Sequence, residues 1–192
     1  MAPRARVEYR PGLRDRLRVR GRRKLLERMH TLVDPSGARL LDLGGGTGVT
    51  TVAFGAGARE RVVLEPNPKK VRRAERAHAP VTMVDAVAES IPFEPGRFDR
   101  VTSMMSFHHF SDGAVACREA FRVLSPGGRF VIYDFDRGPS PARAMVFFVV
   151  HLRHRANPFR SPAELERLVR EAGFHDVRRE PFGSGAFVVA AR

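Results

Sequence analysis

The chain has 192 residues, enough for one folded domain with a substantial core. Its single cysteine excludes an intrachain disulfide and a zinc site built from several cysteines. The longest apolar run, residues 144–150, is far shorter than the roughly 20 residues of a membrane-spanning helix. The N-terminus is basic and lacks the apolar stretch of a secretory signal, so we expect a cytoplasmic protein without a membrane span.

The formal net charge is +13, from 34 basic and 21 acidic residues. Most of the arginines are scattered along the chain, as in proteins from arginine-rich proteomes or with many surface ion pairs. Residues 1–30 are an exception, because they hold eleven basic and three acidic residues. This excess keeps open a negatively charged partner, such as a nucleic acid, an anionic membrane or an acidic substrate, although a nucleic acid is the less expected.

Residues 1–36 are predicted to form a basic arm followed by helices. Pro3, Pro11 and Gly12 indicate an irregular beginning. From Leu13 to Val33 apolar residues recur at near-helical spacing, which predicts one or two amphipathic helices that pack on a later sheet. The sequence Asp-Pro-Ser-Gly at 34–37 predicts a turn before the next element.

Residues 37–192 alternate between predicted strands and helices. Helices are predicted to begin near Val49, after Asn67 and Asp112, and after Ser161, which opens a capping-box pattern with Glu164. A turn is predicted at residues 125–128. Alternation of strand and helix predicts parallel pairing through right-handed crossovers, hence an α/β fold with a doubly wound, mostly parallel seven-stranded sheet in one domain. The predicted strands are 39–43, 61–64, 81–84, 98–103 and 129–134, with two more near 174–179 and 186–191.

A glycine-rich segment follows the first predicted strand. Asp42 is followed by Gly44, Gly46 and Gly48 at every second position. The dinucleotide fingerprint needs a further glycine at the position of Val49, so it is absent. Glycines let a chain turn tightly and let a ligand touch the backbone, although a plain glycine-rich turn is the alternative.

The second predicted strand ends at Glu65, 23 residues after Asp42. In open α/β sheets ligands bind beyond the carboxyl ends of the strands, and an acid there can accept both hydroxyls of a ribose. The alternative is a surface glutamate that stabilises the start of the next helix through the helix dipole. The glycine segment and Glu65 together favour a nucleoside site.

These segments resemble the class I S-adenosylmethionine-dependent methyltransferases, especially the group that methylates small molecules (methyltransferase type 11-like). The resemblance covers roughly residues 38–134 and implies a Rossmann-like fold, with S-adenosyl-L-methionine as cofactor and S-adenosyl-L-homocysteine as product. It is carried by several motifs in order: 41–48, 62–65, 91–93 followed by 96–99, 107–110 and 122–128.

The resemblance implies roles for individual residues. Asp42 would organise the methionine end of the cofactor, while Glu65 would hold the ribose. In the family an Asp-Ala pair usually lies four residues before the Leu/Ile-Pro-Phe motif, whereas Asp85-Ala86 lie two places earlier than that. Either Asp85 still reaches the adenine, or Val87 and Ala88 pack on it instead. The remaining implied cofactor contacts are Gly44, Gly45, Gly46, Gly48, Pro66, Ser103 and Met104.

Methyl transfer needs a general base only when the acceptor must lose a proton. His108 and His109, just beyond the fourth predicted strand, are the candidates for that base; a structural role in their loop is the alternative. No metal is implied.

The methyl acceptor is expected to be a small, apolar or lipid-like molecule. Residues 135–160 correspond to the substrate-variable insertion, where the apolar run 144–150 is either a pocket wall or a buried helix. His151, Arg153, His154 and Arg155 are candidates to contact an anionic acceptor. Two alternatives stay open: an RNA methyltransferase that uses the basic N-terminus, and a catalytically silent protein that binds a partner.

Overall fold

The computed structural model describes residues 8–135 and 161–192. The part of residues 135–160 that lies in the gap, including 144–150 and the basic residues at 151–155, falls outside the described residues. Two N-terminal helices precede an alternation of strands and helices, followed by a C-terminal hairpin. The helices are α1 (Leu13–Gly21), α2 (Arg23–Val33), α3 (Val49–Phe54), α4 (Pro68–Arg76), α5 (Gly113–Val123) and α6 (Pro162–Glu171), with a 3-10 turn at Phe107–His109.

The strands are β1 (Arg39–Leu43), β2 (Glu60–Leu64), β3 (Thr82–Val84), β4 (Phe98–Met104), β5 (Leu124–Phe135), β6 (His175–Phe182) and β7 (Gly185–Ala191). They form one mixed seven-stranded sheet in the order β3-β2-β1-β4-β5-β7-β6. Strands β1 to β5 are parallel, whereas β7 pairs antiparallel with both β5 and β6. The predicted doubly wound, mostly parallel sheet is therefore confirmed.

Strand order reverses at β1, which has β2 on one side and β4 on the other. A crevice opens at such a reversal, because the connections leave the two strands toward opposite faces. The segments that follow β1, β2 and β4 therefore meet at one edge of the sheet.

Each face of the sheet is covered by helices. Helix α2 buries Leu25, Leu26 and Met29 against side chains of β5 and β7, including Val131 and Phe187. On the opposite face, apolar residues of α5 and α6 pack with those of β1, β4 and β5. Helix α2 is thus part of the main core. Helix α1 contributes only the partly buried Val19 to it, and Leu13 and Leu17 are exposed, contrary to the predicted amphipathic pattern. Arg10 N donates a hydrogen bond to Ala77 O at 2.9 Å.

Local signals account for several helix ends. Asn67 accepts a hydrogen bond from Lys69 N and Pro68 occupies the first position of α4. Asp112 caps α5, and Ser161 forms the predicted capping box with Glu164. Helix α2 ends at Asp34, which has a left-handed conformation (φ 49°) and begins the predicted turn.

The predicted turn at residues 125–128 needs a correction, because this segment belongs to the beginning of β5. Leu124 pairs with Phe98, and the register shifts before Arg129 pairs with Arg100. Gly127 N donates to Arg192 O at 2.9 Å, and Arg192 N donates to Gly128 O at 3.0 Å. Hydrogen bonds to the end of the chain thus hold a Pro-Gly-Gly segment in the sheet, although its composition predicts a turn.

Among the described residues, no helix combines the length and the apolar character needed to cross a membrane.

Candidate functional site

Glu65 lies directly after β2 in the wall of a cavity of about 580 Å³, here named the Glu65 cavity. Its carboxylate is buried and accepts three hydrogen bonds of 3.1 Å. Gly46 N and Lys70 Nζ donate to Oε2, and Asn67 N donates to Oε1. An ionised carboxylate offers about four acceptor positions, so Glu65 keeps capacity for a hydroxyl of a ligand.

Asp42 supports the loop after β1 from inside the protein. Its carboxylate is buried and accepts hydrogen bonds from the hydroxyls of Thr51 and Thr102. Burial raises the pKa of Asp42 to about 6; the two threonine hydroxyls oppose this shift and the nearby charge of Glu65 adds to it. Asp42 is therefore a loop-positioning group whose charge is costly in the protein alone.

The glycines of this loop differ in how closely other atoms approach them. A Cβ atom on Gly45 would lie 2.5 Å from Asp42 Oδ2, and one on Gly44 would lie 2.7 Å from Ser106 Cβ. A Cβ on Gly46 would meet only Lys70 Cδ, at 3.9 Å, although its φ of +67° still favours glycine. Gly44 and Gly45 thus allow close packing within the protein, whereas Gly46 leaves open space beside the loop.

A second cavity of about 510 Å³ adjoins the first, with Gly44 and Lys70 in both walls; it is here named the glycine-loop cavity. Its wall includes Gly44–Thr47 and Met104, and five basic side chains from α1, α4 and the α1–α2 junction. Among the described residues no acidic side chain lines it. The basic residues are Arg18, Arg22, Lys69, Lys70 and Arg73.

Two polar side chains in this wall can still donate hydrogen bonds to a ligand. Thr47 Oγ1 is buried and has no hydrogen-bond partner among the described residues. The guanidinium of Arg22 is half-buried and makes no hydrogen bond or ion pair with those residues, whereas Arg18 and Arg73 both contact Asp15. Buried polar groups without partners are uncommon, and here both donors face space that can hold an anion.

His108 is held by Asp134 at the end of β5. Its backbone N–H donates to Asp134 Oδ2 at 2.9 Å, and its ring Nδ1 lies 2.8 Å from Asp134 Oδ1. Both side chains are buried. A carboxylate accepts at this position, so Nδ1 carries the proton and the basic lone pair of the neutral ring is on Nε2.

The predicted site residues fall into two groups. The residues in the two cavity walls are Gly44, Gly45, Gly46, Glu65, Pro66, Ala86, Met104 and His109. Asp42, Ser103 and His108 lie behind these walls as buried, hydrogen-bonded supports. Gly48 begins α3 in a left-handed conformation against Val81.

Asp85 is exposed and is absent from the described wall of the Glu65 cavity, which instead contains Ala86, Val87 and Ala88. Of the two alternatives for the adenine contact, this geometry favours packing on Val87 and Ala88.

Sequence reasoning missed several wall residues. Lys70 lies five positions after Glu65, about the spacing that brings a helical side chain back over the preceding strand end, so this signal was present in the sequence. Arg22 and Met105 come close only through the packing of α2 on the sheet and carry no local signal. Within the described ranges, no three potential metal ligands come together.

Comparison with known proteins finds a family match over the part of the chain that contains the glycine loop and Glu65. The methyltransferase domain family Methyltransf_11 matches residues 41–132. The demethylmenaquinone methyltransferase of Thermus thermophilus is 31% identical over 182 residues, covering 80% of this chain and 82% of that protein. An uncharacterized methyltransferase of Bacillus subtilis, YcgJ, is 34% identical over 125 residues, covering 62% of this chain and 49% of that protein.

The crystal structure of YcgJ superposes with a TM-score of 0.71 at 27% identity, covering 82% of this chain and 70% of that one. The match to the Bacillus sequence thus spans about half of that relative, whereas the match to the Thermus protein spans most of both chains. The shared fold, the glycine loop with its following acid, and this long match show that the chain belongs to the class I S-adenosylmethionine-dependent methyltransferases.

Proposed function

We propose that this protein transfers the methyl group of S-adenosylmethionine to a small aromatic acceptor of the hydroquinone type. One observation carries the cofactor half of this proposal. At Gly44 a cavity with a buried acid, Glu65, adjoins a cavity that is lined by basic side chains. This polarity suits a ligand with a ribose at one end and a carboxylate at the other.

The walls suggest one orientation of the cofactor. Glu65 accepts hydrogen bonds from the ribose, and Ala86, Val87 and Ala88 pack against the adenine. The α-carboxylate then lies in the glycine-loop cavity, where Thr47 Oγ1 and the basic side chains of α4 donate hydrogen bonds to it. Charge-assisted hydrogen bonds of this kind are stronger than neutral ones.

The open space beside the glycine loop is consistent with this orientation of the cofactor. A Cβ atom on Gly46 would have only Lys70 Cδ within 4 Å, so the backbone at Gly46 is open to a ligand. Thr47 Oγ1 lacks a partner among the described residues, and a carboxylate would satisfy it. Glu65 and Thr47 thus offer an acceptor and a donor on the two sides of the loop.

When bound, the cofactor supplies an electrophilic methyl group on a positively charged sulfur. The protein has to align the acceptor with that methyl group and exclude water. Asp42 and its two threonine partners fix the glycine loop, which limits the positions open to a ligand. His108, oriented by Asp134, lies behind the cavity walls, so as our candidate base it would take a proton from the acceptor through one bridging water.

The acceptor class is inferred from a relative. The Thermus protein, of which this chain covers 82%, is named for action on demethylmenaquinone.

The proposal is tested by measuring S-adenosylhomocysteine release with reduced 1,4-naphthoquinone as acceptor and naphthalene as the hydroxyl-free control. We expect turnover with the hydroquinone alone. Cofactor binding without turnover on the hydroquinone would overturn the acceptor class and leave the cofactor assignment intact.

A further inference from the structure

A groove of about 460 Å³ opens between α2, the end of β5 and the turn of the β6–β7 hairpin, and is here named the aromatic groove. Its apolar wall is formed by Leu25, Met105, Tyr133, Phe135 and Phe182. Tyr133 is buried, whereas Met105, Phe135 and Phe182 are only partly covered. Large apolar side chains from four parts of the chain thus line one slot, a common feature of ligand pockets.

The aromatic groove adjoins the glycine-loop cavity, because Met105 and Arg22 lie in the walls of both. Met105 has a left-handed backbone (φ 54°), which is rare for a long side chain, and its N–H donates to Tyr133 O at 2.7 Å. Such backbone strain, held by a short hydrogen bond, is concentrated at functional sites. Here it lies where the methionine end of the cofactor would face the groove.

Arg22 is a cation at this junction, and no acidic group among the described residues neutralises it. The guanidinium makes no hydrogen bond or ion pair within the described part of the chain. Burial and the like charge of Arg18 lower the pKa of Arg22, while Tyr133 raises it. Among its described residues the groove wall holds a second cation, Lys24, and no acid, so the junction favours a negative group on a ligand.

We infer that the aromatic groove is the acceptor site and that Arg22 stabilises the ionised ring oxygen of a phenol-type acceptor. The aromatic side chains contact the faces of the ring, and the oxygen lies toward Arg22 at the junction with the cofactor. This inference rests on the proposed function and adds the location and the ionisation state of the acceptor.

The chemistry balances with these groups. The phenolic O–H gives its proton to a base, for which His108 is the candidate, and leaves an oxyanion beside Arg22. An electron pair of the oxyanion, or of the adjacent ring carbon, forms the bond to the methyl carbon. The carbon–sulfur bond breaks and its electron pair stays on sulfur as a neutral thioether. Attack by carbon also requires the ring C–H proton to pass to water, and the electron pair of that C–H bond restores the aromatic ring.

The test uses 4-nitrophenol, because its phenolate absorbs visible light and the neutral phenol does not. In the presence of saturating S-adenosylhomocysteine and slightly below the pKa of the free dye, the wild-type protein should bind the dye and increase its phenolate band. Arg22→Met should weaken binding at least tenfold and abolish the band increase. Arg20→Met, a matched change on the neighbouring helix, should leave both unchanged.

One further variant and one further ligand distinguish the possible outcomes. Ser184→Trp, at the exposed hairpin turn, should block the dye and leave S-adenosylhomocysteine binding intact. An increase of the phenolate band by Arg22→Met equal to that by wild type would overturn the role of Arg22, and normal dye binding to Ser184→Trp would overturn the groove as the acceptor site. Weaker binding of S-adenosylhomocysteine to Arg22→Met, with 5′-methylthioadenosine unaffected, would assign Arg22 to the cofactor carboxylate and also overturn its role. Absence of S-adenosylhomocysteine binding to folded wild type would instead be a failure of the proposed function.

Discussion

Lys70 Nζ lies 3.1 Å from Glu65 Oε2, and Lys70 is in the walls of both the Glu65 cavity and the glycine-loop cavity. The lysine side chain is half exposed while the glutamate is buried. The ammonium therefore compensates a buried carboxylate before a ligand arrives, without filling all of its acceptor positions. Glu65 is thereby held in place for a ribose.

Glu65→Gln should weaken S-adenosylhomocysteine binding by about 1–3 kcal/mol, the scale of lost hydrogen bonds to a charged group. Isothermal titration calorimetry measures this directly. Lys70→Met serves as the matched control and should have a smaller effect, because it removes a neighbour of the carboxylate and not the acceptor itself. An unchanged affinity in Glu65→Gln would refute the ribose assignment.

Asp42 should make the stability of the protein depend on pH. Its pKa is raised to about 6 from an ordinary 3.8, so the folded state binds the proton more tightly than the unfolded state does. The contribution of protonated Asp42 to the free energy of unfolding is complete below about pH 4, and it is lost as the pH rises through 6. The loss approaches about 3 kcal/mol, at 1.36 kcal/mol per pKa unit.

Asp42→Asn removes this titration. Compared with wild type, the variant should gain relative stability between pH 4 and pH 7.5, by up to about 3 kcal/mol. Urea unfolding at several pH values tests this, with Asp112→Asn as a control at an exposed helix cap. Parallel stability profiles for wild type and Asp42→Asn would contradict the prediction.

Gly45→Ala should disturb the loop, since the new Cβ would lie 2.5 Å from Asp42 Oδ2 and 2.9 Å from Val63 Cγ1. We expect a loss of stability of about 1–3 kcal/mol, as for overpacked cores, together with weaker cofactor binding. Gly21→Ala, where nothing lies within 4 Å of the new Cβ, is the matched control and should leave stability unchanged or slightly increased. Equal melting temperatures for Gly45→Ala and wild type would show that the loop tolerates the side chain.

His108→Gln should lower kcat by about 10²–10⁴-fold if the imidazole removes a proton from the acceptor. Asp134→Asn should act in the same direction, because it changes which ring nitrogen carries the proton. S-adenosylhomocysteine affinity should persist in both variants. His109→Gln is the comparison, since His109 lines the Glu65 cavity and its loss should affect cofactor affinity more than kcat. Loss of cofactor binding in His108→Gln would assign the residue a structural role.

Much of the fold followed from local sequence signals. Asn67, Asp112 and Ser161 cap helices where predicted, because their side chains bond to backbone N–H groups a few residues away. The glycine loop and Glu65 were found because both directly follow short apolar strands. The predicted start of β5 was wrong. The backbone hydrogen bonds that hold Gly127 and Gly128 in the sheet are made with Arg192, which lies too far along the sequence to be recognised from a local pattern.

The walls of the site were less predictable than its loop. Arg22 and Met105 are 83 positions apart and meet only because α2 packs across the sheet. His108 and Asp134 meet because β4 and β5 are neighbours, and strand order was not fixed by the alternation of elements. Asp85 had the expected residue type, but the chain leaves β3 with Asp85 exposed and turns Ala86, Val87 and Ala88 toward the cavity.

Calorimetric titration of the purified protein with S-adenosylhomocysteine, with NAD as a control, tests the central claim most directly. We predict one binding site of micromolar affinity for S-adenosylhomocysteine and no detectable binding of NAD. Absence of S-adenosylhomocysteine binding, in protein shown to be folded by a cooperative thermal transition, would contradict the assignment of these cavities to the cofactor.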